Sequence, residues 1–115
     1  MAPDLAARRK KYSASLREAL KSLVRTLSSL PEVKKISVFG SYARGSRDLL
    51  TDLDVLVVMD TEEDFVTRLR RIYGLLELPV DCDILCYTPA ELEALKSRGF
   101  FKKIQDEEIV LYAQE

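Results

Sequence analysis

Asp52 and Asp54 stand two residues apart at the head of the apolar run LDVLVVM. On a strand, residues i and i+2 point to one side, so these carboxylates project together while Leu53 and Val55 face the other way. Parallel carboxylates about 6–7 Å apart repel unless a cation lies between them. A hard divalent ion such as Mg²⁺ takes oxygen ligands and keeps waters and substrate phosphates in its other positions. The plain alternative is a solvated strand start, with both acids facing water. Asp81 and Asp83 repeat the spacing in PVDCDIL. A carboxylate reaching in from this second strand would complete a three-acid metal site. Asp83 precedes the apolar ILCY and is expected to lie deeper, whereas Asp81 is expected at the solvated start of the strand.

Upstream, Gly40-Ser41 suits the opposite charge. Glycine permits a tight turn and a close approach of phosphate to the backbone. The serine hydroxyl and the amides that follow it form an anion-binding helix start. Arg44 and Arg47 lie near enough in sequence to pair with phosphate oxygens. Gly-Ser alone is a common turn; its spacing to Asp-x-Asp is what gives it weight.

The composition removes other chemistries. The 115 residues contain no histidine, which excludes a histidine general base, a Ser-His-Asp triad and a His-ligated zinc. Cys82 and Cys86 are the only cysteines. On one strand their Cα atoms would be about 13 Å apart, too far for a disulfide. They read as small core residues in a reducing, cytoplasmic setting. Eighteen basic against nineteen acidic residues argue against a dedicated nucleic-acid-binding domain. No apolar run is long enough for a membrane span. The basic segment ARRKKYSASL has no uninterrupted apolar stretch after it and is expected to be a solvated helix face.

These groups need elements to hold them, and the length suggests one domain over residues 1–115. Tyr12, Leu16, Leu20, Leu23, Val24 and Leu27 recur at helical spacing and predict an amphipathic helix from Asp4 to Ser29, closed by Pro31. VKKISVF is a short strand, SYARGS a turn or helix start, and LDVLVVM, apolar on both faces, a central buried strand. Thr61 is expected to cap the next helix with Asp64 as its capping partner, and Phe65, Leu69, Ile72, Tyr73 and Leu76 to form its buried stripe. Pro79 opens the strand VDCDILCY. Thr88, Pro89 and Glu91 start a further helix, which Gly99 is expected to end. EIVLY is a candidate edge strand. The order α-β-α-β-α-β-α, with that last strand, gives the α/β class: a sheet with helices packed on it.

The stretch GSYARGSRDLLTDLDVLVV resembles the signature of the minimal nucleotidyltransferases, in the DNA polymerase β-like superfamily. That signature runs Gly-Ser, any residue, Ala-Arg-Gly, a short spacer, Ser-Asp-x-Asp and an apolar strand; Thr51 stands here for the usual serine. CDILCYTPAELEAL resembles the apolar-Asp-apolar strand and Tyr-Thr-Pro-x-Glu that carry the family's third acid, which selects Asp83 over Asp81. The resemblance implies the polymerase β-like core, a small mixed β-sheet with helices packed on it. It implies that Gly40 and Ser41, helped by Arg44 and Arg47, hold the triphosphate of ATP. Asp52, Asp54 and Asp83 would then bind two Mg²⁺ ions, with Asp83 on the nucleophile side.

The reaction so implied is transfer of a nucleoside monophosphate to an acceptor hydroxyl, with pyrophosphate leaving. Larger relatives add domains that grip the acceptor, and after Asp83 only about thirty residues remain here. A second copy or a separate partner must therefore present the acceptor. Minimal nucleotidyltransferases pair with small helical HEPN-domain proteins in toxin–antitoxin systems, and some transfer AMP to a tyrosine of the toxin. The resemblance therefore implies such a partner. Two other classes fit the same chain: a module that masks a partner without catalysis, and a nucleotide-sensing regulatory domain.

Overall fold

The computed structural model describes residues 4–114. Helix α1 (Leu5–Ser28) starts at Asp4, whose carboxylate accepts the Ala6 and Ala7 amides that have no partner inside the helix. Its first turns are exposed, as expected of the basic segment. Further along, Leu16, Leu20, Leu23 and Leu27 are buried at three- and four-residue spacing. Each such leucine stabilises the fold by about 1.5–3 kcal/mol.

Four strands follow, with helices in the connections between them: β1 (Val33–Phe39), β2 (Leu53–Met59), β3 (Cys82–Tyr87) and β4 (Ile109–Ala113). The sheet order is β3-β2-β1-β4. β1 runs antiparallel to β2 and β4, while β2 and β3 are parallel and joined through helix α3 (Phe65–Leu75). The sheet is mixed, and EIVLY forms the edge strand β4 beside β1.

Residue parity divides the core between the two faces of the sheet. Ile36, Val38, Leu53, Val55, Val57, Ile84 and Cys86 join the leucines of α1 and Ile72 of α3 in the main core. Phe39 and Leu56 turn to the opposite face, with Leu85 and Tyr87 packed beside them, and pack against Ile104. Asp54 alternates with Leu53 and Val55, so it belongs to this second face; Asp83, between Cys82 and Ile84, does too.

Several elements differ from the sequence expectation. Thr61 does not cap α3. Asp64 does, its carboxylate accepting the Thr67 amide, while Thr61 closes a local turn on Glu63. In the expected stripe Ile72 is fully buried, but Phe65 and Tyr73 are well exposed; the buried α3 residue that hydropathy passes over is Arg68. β3 starts at Cys82, two residues after the expected Val80. Thr88, Pro89 and Glu91 make the capping box of α4 (Pro89–Leu95) as expected. Gly99 does not end that helix: it begins another, α5 (Gly99–Glu107). Phe101 and Ile104 are the buried residues of α5, and Ile104 closes the second face.

Candidate active site

β2 and β3 begin at the same end of the sheet because they are parallel and in register. Asp54 pairs with Asp83 and Leu53 with Cys82, and the Leu53 amide donates to the Asp81 carbonyl at 3.3 Å. Paired residues of parallel strands point to the same side, so the Asp54 and Asp83 carboxylates stand side by side on the α5 face. Asp52 precedes Leu53 and is exposed. Burial does not separate Asp83 from Asp81, contrary to expectation, since both are exposed; the pairing with Asp54 is what distinguishes Asp83.

The acids act on one another. The Asp54 carboxyl is pushed above its ordinary range, first by burial and then by Asp83 and Asp52; Arg44 pulls it the other way. A cation placed among these groups would relieve that repulsion. Among the described residues no group of three or more His, Cys, Asp or Glu is assembled to hold a metal ion. Mg²⁺ does not need such a cage, because it keeps several waters and binds through one or two carboxylates plus substrate phosphates. The hard oxygen donors of Asp52, Asp54 and Asp83 fit that ion.

The Gly-Ser turn sits directly against Asp54. α2 (Gly40–Ala43) follows β1 with Gly40 at φ +72°, in the left-handed region. A Cβ on Gly40 would collide with the Asp54 carboxylate, so the glycine is required by both its backbone and its neighbour. Gly40, Arg44 and Asp54 line one pocket of about 280 Å³ with Phe39 and, from α5, Phe100, Lys103, Ile104 and Glu107. A larger groove of about 510 Å³ lies away from the acids, between α1 and β4.

Arg47, expected at the phosphates, is turned elsewhere. Its guanidinium carbon lies 3.5 Å from the centre of the Tyr42 ring, and its Nη1 donates to the Tyr42 and Ser46 carbonyls at 2.8 and 2.6 Å. In this structure it braces the loop. The segment that delivers Asp52 is held by Asp48, which the sequence reading passed over, and by Tyr12, which it placed only in the apolar stripe of α1. Asp48 accepts the Leu50 amide at 2.9 Å and the Thr51 hydroxyl at 3.2 Å. Tyr12 of α1 donates its hydroxyl to the Thr51 carbonyl at 2.7 Å. Thr51 is buried and its hydroxyl is used.

The fold and pocket define a small α/β protein that offers backbone amide, guanidinium and carboxylate groups at one place, a set suited to a nucleotide and its cation. The chain belongs to the nucleotidyltransferase domain family, whose model matches residues 16–111. A relative from Methanocaldococcus jannaschii, provisionally named a protein adenylyltransferase, is 40% identical over 65 residues, which are 51% of this chain and 65% of that protein. The chain thus matches just under two-thirds of that relative's length.

A provisionally assigned nucleotidyltransferase from Sulfolobus solfataricus has a similar fold, with TM-score 0.59 and 16% identity over 99% of this chain and 91% of that one. A toxin–antitoxin structure with AMP-PNP is similar at TM-score 0.53 and 19% identity, covering 85% of this chain and 73% of that one. At those identities the likeness is one of fold. Among the described residues no helix is long and apolar enough to cross a membrane.

Proposed function

We propose that this chain transfers AMP from Mg²⁺-bound ATP to a hydroxyl of a partner protein, the partner being a HEPN-type toxin that it neutralises. The observation that carries this reading is the pairing of Asp54 with Asp83 at two strand starts, with Gly40 packed against Asp54. The name of the Methanocaldococcus relative and the AMP-PNP bound in a structure of like fold agree with it. A pocket of about 280 Å³ beside Gly40, Arg44 and Asp54 gives room for the phosphate end of a nucleotide, and the acceptor in this reading comes from the partner.

Asp52, Asp54 and Asp83 would hold the Mg²⁺ ions. When bound, these neutralise the triphosphate and stabilise charge on the attacking and leaving oxygens. The Gly40-Ser41 turn and Arg44 would fix the phosphates. The acceptor oxygen attacks the α-phosphorus, the bond to the β-phosphate oxygen breaks, and pyrophosphate leaves with that electron pair. Asp83 takes the proton from the acceptor hydroxyl.

The test is incubation with α-labelled ATP, Mg²⁺ and the protein encoded by the neighbouring gene. Label on the partner, lost with Asp54→Asn, is the expected result. A tight complex without label would replace this reading with a masking module, and nucleotide binding without any partner would replace it with a sensor.

A further inference from the structure

We propose that Glu107, at the end of α5, is a positioning residue that sets the phosphate-binding turn; this rests on the nucleotide reading above. One Glu107 oxygen accepts the Gly40 amide at 3.0 Å and the other accepts from Arg44 Nη1 at 3.0 Å. A single carboxylate thus grips both ends of α2: its first amide, and the guanidinium that follows its last residue. Phe39 precedes that helix and has no side-chain cap to offer, so Glu107 supplies the missing acceptor from 67 residues away. Gly40 is thereby held between Glu107 on its amide and Asp54 against its Cα. The spacing between the turn and the metal-binding acids then follows from Glu107.

The end of α5 that carries this carboxylate is anchored to the sheet. The next residue, Glu108, accepts from the buried Ser37 hydroxyl at 3.1 Å and pairs with Lys35, both on β1. The Glu108 amide closes α5 on the Ile104 carbonyl at 2.8 Å, and Ile104 and Phe101 are buried. These contacts fix the end of α5, and the two bonds to Gly40 and Arg44 hold the Glu107 side chain in one rotamer. Arg44 keeps other N–H donors for a phosphate, because a guanidinium carries five and Glu107 takes one at Nη1. Arg44 and then Gly40 hold the Glu107 carboxyl below the usual range, so it stays ionised at neutral pH. Glu107 therefore lines the pocket beside Arg44 and orients the guanidinium there.

The experiment is calorimetric titration of the full chain with Mg²⁺ and AMP-PNP, with thermal melts and transfer kinetics on the same variants. Glu107→Ala should bind the analogue about tenfold more weakly, the scale of one charge-assisted contact put out of place. KM for ATP should rise by a similar factor while kcat falls less. Glu107→Gln, which keeps an acceptor for Gly40 but loses the charge on Arg44, should fall between the two and guards against a misfolded alanine variant. In an Arg44→Ala background the Glu107→Ala loss should shrink, because the two act through one contact. Glu91→Gln, at the other end of the sheet, measures what lost stability alone does to binding, and should leave it unchanged. Unchanged or tighter binding in both Glu107 variants, or losses that multiply with Arg44→Ala, would overturn the proposal while leaving the nucleotide reading intact. Failure of the wild-type chain to bind Mg²⁺–AMP-PNP would overturn both.

Discussion

Gly40 and Gly45 form a matched pair of perturbations. Both have positive φ, +72° and +105°, so alanine at either strains the backbone. A left-handed conformation costs an L-residue about 1–2 kcal/mol. At roughly 4–8 °C per kcal/mol for small domains, each variant should melt several degrees below wild type. Their surroundings differ. A Cβ at Gly45 meets nothing within 4 Å, whereas a Cβ at Gly40 drives into the Asp54 carboxylate and also presses its Cγ (3.1 Å) and Cβ (3.4 Å). The Asp54 carboxylate must turn aside, and its partner across the strand pair is Asp83. A displacement near 1 Å at reacting groups costs about 10²-fold in rate. Gly40→Ala should therefore lose about 10²-fold in AMP transfer, and Gly45→Ala should keep near-wild-type transfer at a similar melting temperature. Both quantities come from a thermal melt and a label-transfer assay on the same preparations. Equal activity losses in the two variants would refute the claim that Gly40 is required by its contact with Asp54 rather than by its backbone alone.

Asp83→Asn should leave nucleotide binding largely intact and cut transfer steeply, by about 10²–10⁴-fold if it acts as the general base; Asp81→Asn should do far less, and the reverse ranking in a transfer assay would move the third acid to Asp81. Ser41→Ala should weaken Mg²⁺–ATP binding without lowering the melting temperature, since among the described residues no side-chain hydrogen bond involves its hydroxyl; an unchanged titration would reduce Gly-Ser to a turn. Cys82 and Cys86 should label slowly with a thiol-disulfide reagent at pH 8, because burial pushes their thiols up to about 12 and about 11; rapid labelling would show that β3 opens readily.

Much of this fold was legible because local chemistry and tertiary placement agree. The spacing of Leu16, Leu20, Leu23 and Leu27 marks a helix and also its buried face. The two-sided apolar run Leu53–Met59 marks a strand with neighbours on both sides. Legibility failed where a residue type has two uses. Gly99 reads as a stop, yet it opens α5, since the turn between Leu95 and Gly99 is short and Phe101 and Ile104 find a free sheet face to cover. With Gly99 read as a stop, α5 was not expected and one wall of the pocket was missing: Phe100, Lys103 and Glu107 all come from it. Glu107 and Gly40 are 67 residues apart, and no local pattern connects a carboxylate to an amide over that distance. Asp52, Asp54 and Asp83 were readable as candidates because each stands at the head of an apolar run; that Asp54 and Asp83 pair across β2 and β3 took the structure to show.

Arg68 shows the same limit at the other end of the sheet, with a measurable consequence. A helix stripe read by hydropathy skips arginine, yet its side chain is 5% exposed and fully engaged. Nε donates to the Glu63 carbonyl at 2.7 Å, Nη1 to the Cys86 carbonyl at 3.1 Å, and the two Nη groups to both oxygens of Glu91 at 2.7 and 3.0 Å. Glu91 also closes the capping box of α4 by accepting the Thr88 amide, so one carboxylate joins α3, β3 and α4. Arg68→Met keeps apolar volume but leaves the Cys86 carbonyl without that donor and Glu91 without its countercharge. The loss should be about 3 kcal/mol, at the low end for breaking a buried pair, because Glu91 can turn to water. The sign with pH follows from Glu91, whose carboxyl the Arg68 hydrogen bonds hold below the ordinary glutamate range. A lowered folded-state pKa gives stability that is fully present above the ordinary glutamate range and is lost as pH falls through the lowered value. The stability gap between wild type and Glu91→Gln should therefore be flat near neutral pH and narrow in acid below that range. Urea unfolding at a series of pH values measures it. A gap that stays constant into acid would mean that the Glu91 charge adds nothing to the junction and that Arg68 is held by the two carbonyls alone.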